Sequence, residues 1–255
     1  PHHPSKPKPG SPGTPDYQAR RLQKEKDRKE GMKIALFGGT FDPVHLGHLA
    51  VARAAAEKFD LGRIYFVPAD IPPHKQKRQL TEFQHRFAML GLATAEEPGL
   101  VPSLLDAPTG QANYSIDTVR RVKKSLKKSD KLYFLIGMDA FQDIATWRQP
   151  EELLAECEFI VASRPGYSLA EVGRALPEKL RPPEAVLKAL ARQSSGGGEI
   201  ALNDVLIHLL PEVHERVSST QIRAAARQSV KQLSRYVPRL VAEYIKKQGL
   251  YRNSG

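Results

Sequence analysis

The chain has 255 residues, 40% of them hydrophobic, enough for one substantial α/β core with a small appendage. No apolar run approaches the ~18 residues needed to span a bilayer, so no membrane partner is expected; the single cysteine, Cys157, rules out an intrachain disulfide framework and suits a reducing, cytoplasmic setting. The formal net charge of +11 admits either a nucleic-acid partner or a pocket for anionic nucleotides, but aromatics make up only 7% and do not interleave with the basic residues, so no stacking platform for single strands is visible.

In chain order, residues 1–16 are rich in Pro, Ser and Gly and 17–30 form a charged run. Residues 1–31 read as a disordered basic tail, with the folded domain over 32–252. Lys33–Phe37 is a short apolar run ended by Gly38 and Gly39, a buried strand. Leu49–Phe59, rich in alanine, reads as a helix, and Arg63–Val67 as a second strand, completing a right-handed βαβ unit. The turn between them reads Gly38-Gly39-Thr40-Phe41-Asp42-Pro43-Val44-His45-Leu46-Gly47-His48. Glycines at a strand end and free N–H groups at a helix mouth suit a phosphate. Two histidines three apart share one helix face, so both imidazoles can meet one phosphate.

Beyond the second strand, Pro68-Ala69-Asp70-Ile71-Pro72-Pro73-His74-Lys75 is an extended loop at a strand's carboxyl end, where open α/β sheets bind ligands. A helix over Leu80–Ala95 opens at Thr81, with Phe83, Phe87 and Leu90 on its buried face and His85, beside Arg86, at the surface. Leu100–Leu105 is a weak edge strand carrying Pro102, and Ser115 is placed to cap a basic helix that runs to Lys128. Lys131–Ile136 is the strongest strand. It ends in Gly137-Met138-Asp139, followed by Thr146-Trp147-Arg148 and a helix over Glu151–Glu156. Glu158–Ala162 is a further strand, with Arg164 just past its end. Residues 167–200 read as helical pieces and a glycine-rich loop in a peripheral insertion, and Asp204–Leu210 as the last strand. His208 and His214 read as packing or surface residues, since no paired ligand accompanies them. Val217-Ser218-Ser219-Thr220-Gln221-Ile222-Arg223 opens a helix with hydroxyls and an arginine on one side, a second phosphate cradle. The fold expected is a Rossmann-like, doubly wound parallel α/β sheet with helices on both faces and a small C-terminal helical part.

The glycine turn with His45-x-Gly47-His48 resembles the H-x-G-H signature of the nucleotidyltransferase superfamily, and the wider segment resembles the bacterial nicotinate-nucleotide adenylyltransferases. Ile71-Pro72-Pro73-His74-Lys75, Gly137-Met138-Asp139…Trp147 and Ser218-Ser219-Thr220-x-Ile222-Arg223 resemble that family's motifs in the same order. Asn113 and Ser115 depart from its usual Ser-Tyr-Thr. The resemblance implies transfer of AMP from ATP to nicotinate mononucleotide, with Mg²⁺ bridging phosphate oxygens. It implies ATP contacts from Gly38, Gly39, Thr40, Phe41, His45, His48, Gly137, Asp139, Ser219, Thr220 and Arg223, of which His45, His48 and Arg223 are catalytic and none is a dedicated metal ligand. It implies nicotinate mononucleotide contacts from Lys75, Ser115, Trp147, Arg148 and Arg164, with the Trp147 ring stacked on the pyridine and nearby N–H groups receiving the carboxylate. Another phosphorylated acceptor such as nicotinamide mononucleotide, or a non-catalytic basic nucleic-acid binder, stays open as an alternative. So does assembly into a homo-oligomer. Deleting residues 1–31, which lack the composition to pack, is expected to leave turnover nearly unchanged; a large fall in kcat at unchanged melting temperature would place the tail in the site.

Overall fold

The computed structural model of the chain describes residues 31–69, 80–163, 168–192, 197–210, 217, 219–227 and 229–251. Seven strands form one sheet: β1 (Lys33–Gly39), β2 (Arg63–Pro68), β3 (Leu100–Pro102), β4 (Lys131–Gly137), β5 (Glu158–Ala162), β6 (Gly198–Leu202) and β7 (Val205–Leu210). Their order is β3-β2-β1-β4-β5-β7-β6, and only the β6–β7 pair is antiparallel. Helices α1 (Leu46–Phe59) and α2 (Phe83–Thr94) cross on one face. On the other lie α3 (Ser115–Ser125), α4 (Met138–Phe141), α5 (Pro150–Glu156) and α6 (Leu169–Ala175), with α7 (Glu184–Ala191) beside α6. Helices α8 (Ser219–Ala225), α9 (Val230–Leu233) and α10 (Arg239–Gln248) return to the first face. This is the doubly wound α/β arrangement expected. The crossovers leave β1 toward β2 on one face and reach β4 and β5 on the other because each must be right-handed.

Strands covered on both faces have no polar side, so their sequences are nearly continuous apolar runs. Alternate residues feed two cores. Phe37, Leu135 and Ile160 pack with Leu49, Ala52, Leu90, Ile222 and Val241. Leu36, Phe134 and Val161 pack with Ile116, Val119, Leu153 and Val172. Cys157 caps α5 just before β5, and burial pushes its thiol above the usual range, which fits the structural place the sequence reading gives it. Among the described residues no helix is long and apolar enough to cross a membrane.

Several boundaries differ from the sequence reading. Helix α1 begins at Leu46, three residues early, because His45 is its N-cap. Helix α2 begins at Phe83 behind Glu82, not at Thr81, whose N–H is instead held by Asp42. Ser115 does not cap α3; it is the first helical residue, and Tyr114 is the N-cap. The 167–200 segment is more than helical pieces. It supplies β6 at the sheet edge and buries Leu169, Val172 and Leu176 in the second core. His208, on β7, lies 2.9 Å from a Glu158 carboxylate oxygen and 3.4 Å from Glu199, a hydrogen-bonding and packing role.

Candidate active site

The sheet opens where its winding reverses. Strands β1 and β4 are paired as far as Phe37↔Leu135. Beyond that each continues only with its outer neighbour, β1 to Gly39↔Pro68 and β4 to Gly137↔Ala162. The carboxyl ends of β1 and β4 therefore part at the topological switch point, the place where sheets of this kind form a ligand crevice. Gly38, Gly39 and Gly137 stand on its two lips. A Cβ on Gly38 would lie 3.2 Å from Phe134 Cζ, and one on Gly39 3.0 Å from Phe41 Cζ. Those two glycines thus admit aromatic rings, one on each face, where the sequence reading gives them to phosphate. A Cβ on Gly137 would meet nothing within 4 Å, so there the space is open. Asp139 follows, exposed in the short α4.

The turn after Gly39 is bent back by Phe41, whose φ of 48° is a left-handed conformation uncommon for a bulky residue. It places the ring, 1% exposed, against Phe37, Phe66 and His48 at centroid distances of 5.5, 5.4 and 4.9 Å. The Phe41 side chain is consumed by packing, leaving only its backbone for a ligand. At the mouth of α1 the two histidines cap the helix reciprocally. His45 Nδ1 accepts the His48 N–H at 3.3 Å, and His48 Nδ1 accepts the His45 N–H at 3.2 Å. The rings stack with centroids 3.7 Å apart. A nitrogen that accepts cannot carry the proton, so each neutral ring is held with its proton on Nε2.

The second cradle is tied to this turn. Arg223, 7% exposed, donates from Nη1 to the Asp42 carbonyl at 2.7 Å and from Nη2 to Thr220 Oγ1 at 2.9 Å. Ser219 Oγ donates to the Pro43 carbonyl at 3.3 Å. Asp42, 3% exposed, accepts at Oδ1 from the Tyr251 hydroxyl at 2.7 Å and at Oδ2 from the Thr81 N–H at 3.4 Å. Arg86, to which the sequence reading assigns no role, is 1% exposed. Its guanidinium donates to the carbonyls of Thr40 (2.8 Å), Ala69 (2.6 Å) and Thr81 (2.8 Å). His85 Nδ1 lies 2.8 Å from the Tyr244 hydroxyl, joining α2 to α10.

Across the crevice, Trp147 is half-buried with its ring edge-to-face on Phe134 at 6.2 Å. Arg148 lies 4.5 Å over the Tyr114 ring, which brings it next to Ser115. Tyr114 has no motif of its own in the sequence and was missed. Asn113 donates to the Asp106 and Ala107 carbonyls, both at 3.2 Å, and so braces the loop before α3. One expected detail fails. The Trp147 N–H is spent on the Ile144 carbonyl at 3.1 Å, α5 opens with Pro150, which has no N–H, and Glu151 and Glu152 occupy its first turn. That helix mouth is unsuited to a carboxylate. Lys75, Arg164 and Ser218 lie outside the described residues.

Residues 36–225 match the model of the family described as cytidylyltransferase-like. The chain is 35% identical over 226 residues to a probable nicotinate-nucleotide adenylyltransferase of Geobacter sulfurreducens, covering 88% of this chain and 100% of that one. To a relative of the same description from Moorella thermoacetica it is 34% identical, covering 86% and 92%. Among solved structures, the nicotinic acid mononucleotide adenylyltransferase of Plasmodium falciparum complexed with APC superposes with a TM-score of 0.61 at 20% identity, over 86% of this chain and 97% of that chain. This last likeness is one of fold.

Arg86→Met would leave three carbonyls around a buried position without their charged donor, so it is expected to cost about 3 kcal/mol of stability. A urea titration should show a lower midpoint at unchanged slope; an unshifted midpoint would mean that the guanidinium is dispensable there.

Proposed function

Because the chain belongs to the cytidylyltransferase-like family and, within it, to the nicotinate-nucleotide adenylyltransferases, we propose that its crevice performs their reaction. It transfers AMP from ATP to nicotinate mononucleotide, yielding nicotinate adenine dinucleotide and pyrophosphate. The observation that supports this reading is the reciprocally capped histidine pair, which fixes the proton of each neutral ring on Nε2 at the mouth of the helix that follows β1.

The nucleophile is a phosphate oxygen of the mononucleotide. A phosphomonoester has a second pKa near ~6, so it is ionised at neutral pH and needs no general base. Its oxygen attacks the α-phosphorus of ATP; the bond from that phosphorus to the bridging oxygen breaks, and pyrophosphate leaves with the electron pair. Little is left for the protein except positioning and stabilising charge. The Nε2–H groups of His45 and His48 donate to the α-phosphate, where negative charge builds up. The Gly38–Phe41 backbone and the lip formed by Gly137 and Asp139 border the nucleotide. Arg223, Ser219 and Thr220 take the β,γ end; Thr220 accepts from Arg223 and is exposed, so its own proton can point to phosphate. The donors here are imidazole, hydroxyl, guanidinium and N–H, not a carboxylate cage. Mg²⁺, which prefers oxygen ligands and retains water, fits as a partner of the ATP phosphates and supplies charge neutralisation there. Trp147, with Arg148 and Ser115 beside it, bounds the acceptor side, and Lys75 and Arg164 are assigned to it from their motifs.

The assay is pyrophosphate release with ATP, Mg²⁺ and a panel of mononucleotides. Turnover with nicotinate mononucleotide is expected to exceed that with nicotinamide mononucleotide, and the reverse order would reassign the acceptor. His48→Ala should reduce kcat by about 10²–10³, the scale of one lost transition-state donor, with little change in ATP affinity. Near-normal turnover would remove His48 from the chemistry. Trp147→Ala should raise KM for the mononucleotide and not for ATP, since ring stacking is worth about 0.5–1.5 kcal/mol beyond area burial. A folded variant with both KM values unaltered would put the pyridine ring elsewhere.

A further inference from the structure

We propose that Tyr251 is a positioning residue of the active site: its hydroxyl holds the Asp42 carboxylate and thereby fixes the turn that carries His45 and His48 to the cradle that carries Arg223. The inference rests on the reading of those three residues as the ATP-phosphate site. Tyr251 lies 209 positions from Asp42 in sequence, yet the two meet at 2.7 Å in a buried hydrogen bond. Helix α10 ends at Gly249 with φ 65°, and the Leu250 N–H returns to the Ile245 carbonyl at 3.0 Å, a closed C-terminal turn that delivers the next residue inward. That residue is Tyr251, itself at φ 63° and 8% exposed. A left-handed tyrosine is costly and persists only where its surroundings over-determine it. Here the ring joins the first core and the hydroxyl joins Asp42.

Asp42 is suited to receive it because it links the histidine turn to Arg223 through its own backbone and carboxylate. It stands three residues before His45, its carbonyl takes Arg223 Nη1, and its second carboxylate oxygen takes the Thr81 N–H. Burial, and then the Asp42 charge, push the Tyr251 phenol upward, so it remains a donor throughout the working pH range. Without the hydroxyl, one buried carboxylate oxygen loses its partner, and Asp42 must move to find another. Both motifs then lose their common reference point. Trp147 and Tyr114, packed in the other core, do not.

The test is Tyr251→Phe in the full chain, compared with wild type and with p-aminophenylalanine at position 251, which restores an N–H donor. The phenylalanine variant should lose about tenfold or more in kcat, the scale of one hydrogen bond to a charged group. KM for ATP should rise while KM for nicotinate mononucleotide stays within about twofold of wild type, by the separation of the two cores. The amino analogue should recover most of the loss. A folded phenylalanine variant with wild-type kcat and KM for ATP would overturn the proposal, as would equal rises in both KM values. Hydrogen exchange over residues 39–49 reads the same bond without turnover. It should quicken in Tyr251→Phe, and unchanged exchange would overturn the latch even if wild type proved inactive on these substrates. If Tyr251→Phe does not fold, Asp42→Asn is measured for the same split between the two KM values, and its absence overturns the proposal.

Discussion

Burying charge is expensive unless every donor and acceptor is matched, and the mouth of this sheet holds three buried charged residues within one small region. Asp42 lies in the 40–42 turn, and Arg86 and Arg223 both bond its backbone. Their partners are mostly backbone carbonyls and N–H groups at the ends of distant elements: Ala69 after β2, Thr81 before α2, and Asp42 itself beside α8. Each charge is satisfied only if those ends stand where they do. A turn that would otherwise be a solvent loop at a strand end, carrying a left-handed Phe41, becomes a fixed platform. The cost of desolvation is what makes the platform specific, because any slippage leaves a carbonyl or a carboxylate oxygen unpaired.

The sheet supplies the other half. Once β1 and β4 have opposite windings, no crossover can cover their carboxyl ends, and the strands part after Phe37 and Leu135. The pleat then sorts what reaches the crevice. Gly39 and Phe41 look to the core that carries α1 and the histidines, while Gly38 looks to Phe134 and hence to Trp147. The proposed phosphate residues and the proposed ring platform thus stand on opposite faces of one sheet edge. The buried latch around Asp42 belongs wholly to the first side.

What the sequence disclosed follows from how local each signal is. The β1–turn–α1 unit was legible because a strand, two glycines and a spaced histidine pair are contiguous. The doubly wound sheet followed from alternating apolar runs and helical stretches. Arg86 was not legible: on a helix next to His85 it has the composition of a solvated face, and only the folding of Thr40, Ala69 and Thr81 around it shows its burial. β6 hid in a glycine-rich stretch because an antiparallel edge strand needs little apolar content. Ser115 is a good cap by propensity, yet α3 starts on it, since Tyr114 must sit at the N-cap position to meet Arg148. At Trp147 the helix mouth inferred from spacing is real, but its first N–H is missing and its first turn is acidic, details that depend on where the helix starts.

The spacing of the two histidines has a reason in helix physics as well as in chemistry. N-cap and N3 are the positions that exchange side-chain and backbone hydrogen bonds in a capping box, and serine with glutamate would serve the fold equally well. Imidazoles in those places do the capping with Nδ1 alone, as both do here. What each adds is a second ring nitrogen, fixed in tautomer by the first. The rings stack with centroids 3.7 Å apart, so both Nε2–H groups lie in one small region at the start of α1. Helix termination makes no use of that second nitrogen, whereas the phosphate chemistry proposed for the site would. The same hydrogen bonds that start α1 therefore also set the protonation pattern of the site, and a change that frays the helix start would scramble the donors without touching a ligand.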